Sequence, residues 1–137
     1  MPSSTHTELH PTWWLQLFLG AFISLGALFG GAMLVVAPDG SLLGLSPTVL
    51  AGTPFSDFSL PGWALIGLLG LGHALVFLLT LLRSPRAARW SALMGGVLFG
   101  WILIQVMMIG YQMPLQPLFG VLGLIEAING FRRQRRT

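Results

Sequence analysis

Three stretches of this chain run for more than twenty residues without a formal charge, and a fourth, shorter one carries a single carboxylate. About 20 mainly apolar residues carry an α-helix across roughly 30 Å of hydrocarbon. In lipid the backbone has to satisfy its own hydrogen bonds, so helices are the natural outcome for such stretches. The candidates are 13–37; 62–82, interrupted by His73; 90–110, with Gln105 as its one strongly polar side chain; and 115–131, which carries Glu126 and Asn129. Charged residues make up 8% of the chain, where a soluble domain has about a quarter. The expected fold class is all-α: an integral membrane four-helix bundle running up-down-up-down. It forms one transmembrane domain over 13–131, with a polar tail, 1–12, and a basic tail, 132–137.

The fourth stretch is the marginal one. Leu115, Leu118, Phe119, Val121, Leu122, Leu124, Ile125 and Ile128, at roughly −0.5 kcal/mol each, favour insertion by about 4 kcal/mol. A central carboxylate cancels up to about 3 kcal/mol of that, although Glu126 lies off-centre. Charge placement decides for a span. With four crossings, Arg83, Arg86 and Arg89 share a side with Arg132, Arg133, Arg135 and Arg136, and the opposite side receives only Asp39 and Asp57. Basic loops stay in the cytoplasm, so both termini are expected there. These arginines read as topology determinants that also meet anionic lipid headgroups. Trp13, Trp14 and Trp90 fall at the expected cytoplasmic interface, and Trp63 and Tyr111 at the outer one; Trp101 sits mid-helix, against lipid or a neighbour. The first stretch lacks the basic start and cleavage site of a secretory signal and is expected to remain in the mature protein.

Small residues recur at helical spacing: Gly26 and Gly30, Gly70 and Ala74, Gly96 and Gly100, Gly123 and Ala127. Such pairs let neighbouring backbones approach, either within one bundle or, where a face points outward, in a dimer. Pro85 and Pro114 mark tight turns, which make the flanking helices antiparallel neighbours.

The 24-residue segment 38–61 is the only long connection. Pro38-Asp39-Gly40-Ser41 is a turn signal, and Ser46-Pro47 reads as an N-cap followed by proline at the first helical position. Gly52 is expected to end that short turn, and Pro61 to open the second helix. Its leucines and phenylalanines favour burial, so the segment is expected to fold over the outer end of the bundle, as a packing lid or a binding element. Asp57 stands ready to bind a cation or a basic partner, or to cap a backbone N–H.

An ionisable side chain at His73's depth is costly, which makes it either a structural hydrogen-bonded group or a functional one. Neither Gln105 nor Glu126 is assured of reaching it. Glu126 pairs with Arg132 or Arg133 in the simpler reading, or joins a polar cluster with Gln16, Thr80 and Asn129. Gln112 and Gln116 are expected to satisfy turn backbone or to face water. No HExxH, Gly-x-Ser-x-Gly or phosphate-binding loop is present, and cysteine is absent. His6 and His10 lack a supporting helix pattern. The expectation is therefore no enzyme, no metal or cofactor, and no nucleic-acid partner.

The run Pro38-Asp39-Gly40-Ser41, Thr53-Pro54-Phe55-Ser56-Asp57-Phe58 and Pro61-Gly62, with the glycine-rich helix after it, resembles a group of small, uncharacterised bacterial four-helix membrane proteins. The resemblance covers about residues 13 to 131. It implies the same topology and a bacterial cytoplasmic membrane, with no activity or ligand attached. The functional expectation is a non-enzymatic accessory or interaction subunit whose partners are the bilayer and either a second copy or another membrane protein. The alternative is a small oligomeric transporter or channel component using His73 and Glu126.

Overall fold

A computed structural model describes residues 11–135. Over that range the chain is all-helical, with four main helices and no strands: α1 (Pro11–Val36), α2 (Ser59–Leu81), α3 (Ala87–Ile109) and α4 (Leu115–Arg135). The first three are long and apolar enough to cross a membrane. The average over α4 is lowered by Glu126, Asn129 and the terminal arginines. Each helix departs from its expected limits. α2 opens at Ser59, two residues before Pro61, because Asp57 Oδ1 accepts from Ser59 N at 3.0 Å and starts the turn early. α3 takes Ala87, Ala88 and Arg89 into its first turn, and α4 runs on through Arg132 and Arg133. The basic tail is thus largely helix. His6, Glu8, His10 and Arg136 lie outside the described residues.

Glycine sets which helices touch. In the α1–α2 hairpin, a Cβ at Gly31 would lie 2.8 Å from the carbonyl oxygen of Gly62, and one at Gly20 would meet Phe77 at 3.2 Å. In the α3–α4 hairpin, a Cβ at Gly123 would lie 3.0 Å from the Gly95 carbonyl oxygen, and one at Gly130 2.5 Å from Ala92 N. Gly123 therefore packs as expected of a small-residue contact. Gly96 and Gly100 do not: a Cβ at either meets nothing within 4 Å. Gly95, one residue earlier, occupies the contact face, because α3 turns that side toward α4. Gly26 packs tightly against the Phe119 ring of α4, which lies 2.8 Å from where a Cβ would be, and Gly30 has only Leu65 of α2 nearby; both glycines line the cavity between the hairpins.

The hairpins meet around Leu19, Ile23, Ala27, Leu69, Val76, Met94 and Leu98. At one end the connection between α1 and α2 folds back: Leu50 and Phe58 pack on Leu34, with Leu43, Leu45, Val49 and Phe55 around them and Ile109 across from them. Ser46 Oγ accepts from Thr48 N at 3.3 Å and caps a short 3₁₀ turn, Pro47–Leu50. The positive φ values needed before and after it fall to Gly40, Gly44 and Gly52. This lid closes one end; the arginines occupy the other.

Burial runs opposite to a water-soluble protein. Phe29 and Met107 are 68% and 78% exposed, and Phe18, Leu25, Leu71, Leu103, Val121 and Ile128 also point outward. Gln16, His73, Thr80, Ser91 and Glu126 are fully buried. The glycine contacts are testable through stability. Gly95→Ala forces a methyl group into the α4 backbone and is expected to cost about 1–3 kcal/mol. Gly96→Ala gains about 0.5–1 kcal/mol from helix propensity alone. Thermal unfolding of both variants in one detergent checks the contrast.

Candidate functional site

The polar residues are brought together by helix register. Gln16 lies near the arginine end of α1, His73 two turns from the end of α2, and Glu126 in the second half of α4. Each faces the centre. His73 Nε2 lies 2.7 Å from Glu126 Oε1, and Gln16 Nε2 donates to Glu126 Oε2 at 2.9 Å. Both carboxylate oxygens are thereby used, by two different helices. The simpler reading that paired Glu126 with Arg132 or Arg133 is overturned: in register on α4, the carboxylate points inward while the arginines sit a turn or more farther on.

The hydrogen-bond pattern fixes how many protons the pair holds. His73 Nδ1 lies 2.8 Å from the Leu69 carbonyl oxygen, which only accepts, so Nδ1 carries a hydrogen. One further proton bridges Nε2 and Oε1. On the imidazole it makes an ion pair; on the carboxyl it makes two neutral groups. The pair is neutral overall either way, which is the form of ionisable pair that burial tolerates best.

The carbonyl that orients His73 belongs to an unusual stretch of backbone. From Leu65 to Leu71 the helix widens to a π-helical turn. Such turns loosen the normal ladder and present carbonyls to side chains. Leu69 O receives His73, and Gly70 O receives Ser24 Oγ from α1 at 2.8 Å. Sequence gave no sign of this turn beyond the density of glycine and leucine.

The remaining expected residues separate by location. Asn129 donates to Thr12 O at 3.2 Å, and Thr80 bonds its own helix at Val76 O, so neither bonds to Glu126. Trp13 is not an exposed interfacial anchor: it is buried, donates from Nε1 to Thr80 O at 2.9 Å, and carries the Arg83 guanidinium 4.3 Å above its ring. Arg83 and Arg133 line a small cavity of about 190 Å³ beside it, where Arg133 Nη1 is buried without a hydrogen-bond partner among the described residues. Arg86, Arg89, Arg132 and Arg135 are exposed around that end. Gln105 lies at the lid end, accepting from Gln116 Nε2 at 3.3 Å, far along the helices from His73. Gln116 Oε1 also holds the α3–α4 turn by accepting from Gln112 N at 2.6 Å.

Asp39 and Asp57 are turn-formers. Asp39 Oδ1 accepts from Ser41 N at 2.9 Å, and Asp57 Oδ1 accepts from both Ser59 N and Ser59 Oγ. Hydrogen bonds from the serine hydroxyl and then the serine amide hold both carboxyls below the ordinary aspartate range.

Between the hairpins, on the lid side of the polar cluster, lies a larger cavity of about 500 Å³. Ile23, Leu69 and Leu98 line its deep part, and Phe55 and Phe58 of the lid its end. Its polar lining is Gln105, Gln112 and Gln116, which sequence reasoning had placed at separate duties. Among the described residues no three His, Asp or Glu side chains gather in a metal-binding arrangement. No family model, curated protein or solved structure matches the chain.

Two outcomes follow from these bonds. His73→Leu leaves the Glu126 carboxyl buried with one partner and is expected to cost about 3–5 kcal/mol, whereas His73→Leu with Glu126→Leu recovers most of the loss. Unfolding of the two single variants and the double variant in detergent measures the coupling. In the lid, a carboxyl whose folded pKa is depressed lends stability above its unfolded value and loses it as pH falls through the folded one. Amide exchange protection at Ser41 and Ser59 is therefore expected to hold down to about pH 4 and decline only below it.

Proposed function

We propose that this chain is a four-crossing integral protein of a bacterial cytoplasmic membrane, with both termini in the cytoplasm, acting as a non-catalytic accessory or interaction subunit. The reversed burial carries the reading. Water does not tolerate a continuous coat of exposed phenylalanine, leucine and methionine of this extent, and hydrocarbon does not tolerate Gln16, His73 and Glu126 anywhere but inside. The same reasoning extends to α4. Its outward side chains, Leu118, Val121, Leu124, Ile125 and Ile128, are as apolar as those of the other helices, and Glu126 and Asn129 turn away from them. The up-down-up-down bundle then places every described arginine on one side, as the positive-inside rule asks.

The accessory role is supported by how the two ionisable central groups engage their neighbours, although the Gln16 amide oxygen beside them is buried with no partner among the described residues. His73 uses both ring nitrogens and Glu126 both oxygens, while Leu69, Ile23 and Leu98 lie on the lid side of them. The proton shared by His73 and Glu126 favours a second reading, a small oligomeric transporter or channel component.

The chain has no cysteine, so single-cysteine labelling is clean. Ser56→Cys is expected to react with a membrane-impermeant maleimide in spheroplasts, and Gln134→Cys only after permeabilisation; labelling of both in sealed spheroplasts overturns the topology. Glu126→Gln preserves the hydrogen bonds, since its amide donates to His73 Nε2 and its carbonyl accepts from Gln16. As an accessory subunit this variant keeps the partners that crosslink to the native protein. Ion or solute flux in proteoliposomes that disappears in Glu126→Gln decides for the transporter.

A further inference from the structure

We propose that the 500 Å³ cavity between the hairpins is a binding site for an uncharged lipid, holding one apolar chain with a carbonyl or hydroxyl group seated against Gln105 and Gln112. The inference rests on the membrane reading above, because the occupant enters from the bilayer.

The volume lies within the roughly 300–1,000 Å³ range of small-molecule sites. The lining favours a chain. Ile23, Ala27, Leu34, Leu69, Leu98 and Phe119 form an apolar wall reaching from the lid end to the turn above the polar cluster. Gly30 keeps that wall hollow, since only the tip of Leu65, at 3.6 Å, comes within 4 Å of a Cβ there, while Gly26 lets the Phe119 ring lie directly against α1, 2.8 Å from where a Cβ would be. The side mouth is apolar too, with Leu60, Ile104, Met108 and Leu115 lining it and exposed at its edge. Such a rim opens to hydrocarbon, not to water.

The head group follows from what the glutamines leave unused. Gln116 spends both ends of its amide, donating to Gln105 Oε1 and Gly110 O and accepting from Gln112 N. Gln112 Nε2 donates to Ile109 O at 2.6 Å. That leaves the Gln105 amide nitrogen to donate and the Gln112 amide oxygen to accept, neither having a partner among the described residues. A carbonyl answers the first and a hydroxyl the second. No Arg, Lys or His lines the cavity, so a phosphate or carboxylate there would be an unpaired charge in an apolar enclosure. Charge thus selects a neutral lipid over an anionic one with the same chain.

The test uses the full-length protein in proteoliposomes carrying either a photoactivatable monoacylglycerol or the lysophosphatidic acid of the same chain. Flotation of the vesicles first establishes incorporation, so failure of the membrane reading registers separately as protein that does not float. Crosslinks from the monoacylglycerol are expected on peptides containing Trp101 to Met108 and Leu115 to Phe119, exceeding those from the lysophosphatidic acid at least about tenfold. Gly30→Leu, which fills the cavity, is expected to abolish them, and Gly96→Leu, on the open face of α3, to leave them unchanged. Gln105→Leu is expected to reduce the preference between the two probes while chain labelling persists. Equal labelling by both probes in the native protein, or labelling of floating Gly30→Leu at the native level, overturns the proposal.

Discussion

One carboxyl group joins three of the four helices. Glu126 on α4 is reached by His73 from α2 and Gln16 from α1. Its burial is acceptable only because each oxygen has a donor and because the proton shared with His73 leaves the pair without net charge. The consequences are architectural. The α1–α2 and α3–α4 hairpins are each zipped by glycine contacts along their own length, but between them close contact concentrates around this cluster and the apolar residues beside it. Away from it, toward the lid, the hairpins separate enough to leave a cavity.

That division of labour suits a solvent of hydrocarbon. Between helices in lipid there is little to gain from burying leucine, since lipid tails offer leucine the same surroundings. Specific association falls to close backbone approach and to polar groups that have nowhere else to go. Gly31 against Gly62 and Gly123 against Gly95 supply the first; Gln16, His73 and Glu126 supply the second. The π-helical turn belongs to the same economy of donors and acceptors. By presenting Leu69 O and Gly70 O, it gives the buried His73 and Ser24 side chains partners inside the bundle.

Much of the lid could be read along the chain. The Ser46-Pro47 cap, the turn at Gly40 and the inward preference of Leu50 and Phe58 are local properties, governed by residues within a few positions of one another, and each is found where it was expected. The glycine faces were half legible. Spacing identified that Gly96 and Gly100 share one side of α3, but not that this side faces away from α4 and that Gly95 makes the contact. Rotation of a helix about its own axis is set by its neighbours, and an all-apolar helix gives almost no amphipathic signal to fix it. Trp13 failed for a related reason: its position along α1 suits an interface, but its direction turns it inward onto Thr80.

The sequence by itself determined four helices and their breaks, because the length of an apolar run and the punctuation by proline and glycine are one-dimensional facts. It also determined that His73 and Glu126 would need partners, since an ionisable group in such surroundings cannot stand alone. Only the tertiary structure decided that they would be each other's. They lie 53 residues apart, and their meeting depends on the depth and rotation of α2 and α4 together, which no local pattern encodes. The cavity is likewise a property of packing: it is space left between side chains that come from all four helices and the lid.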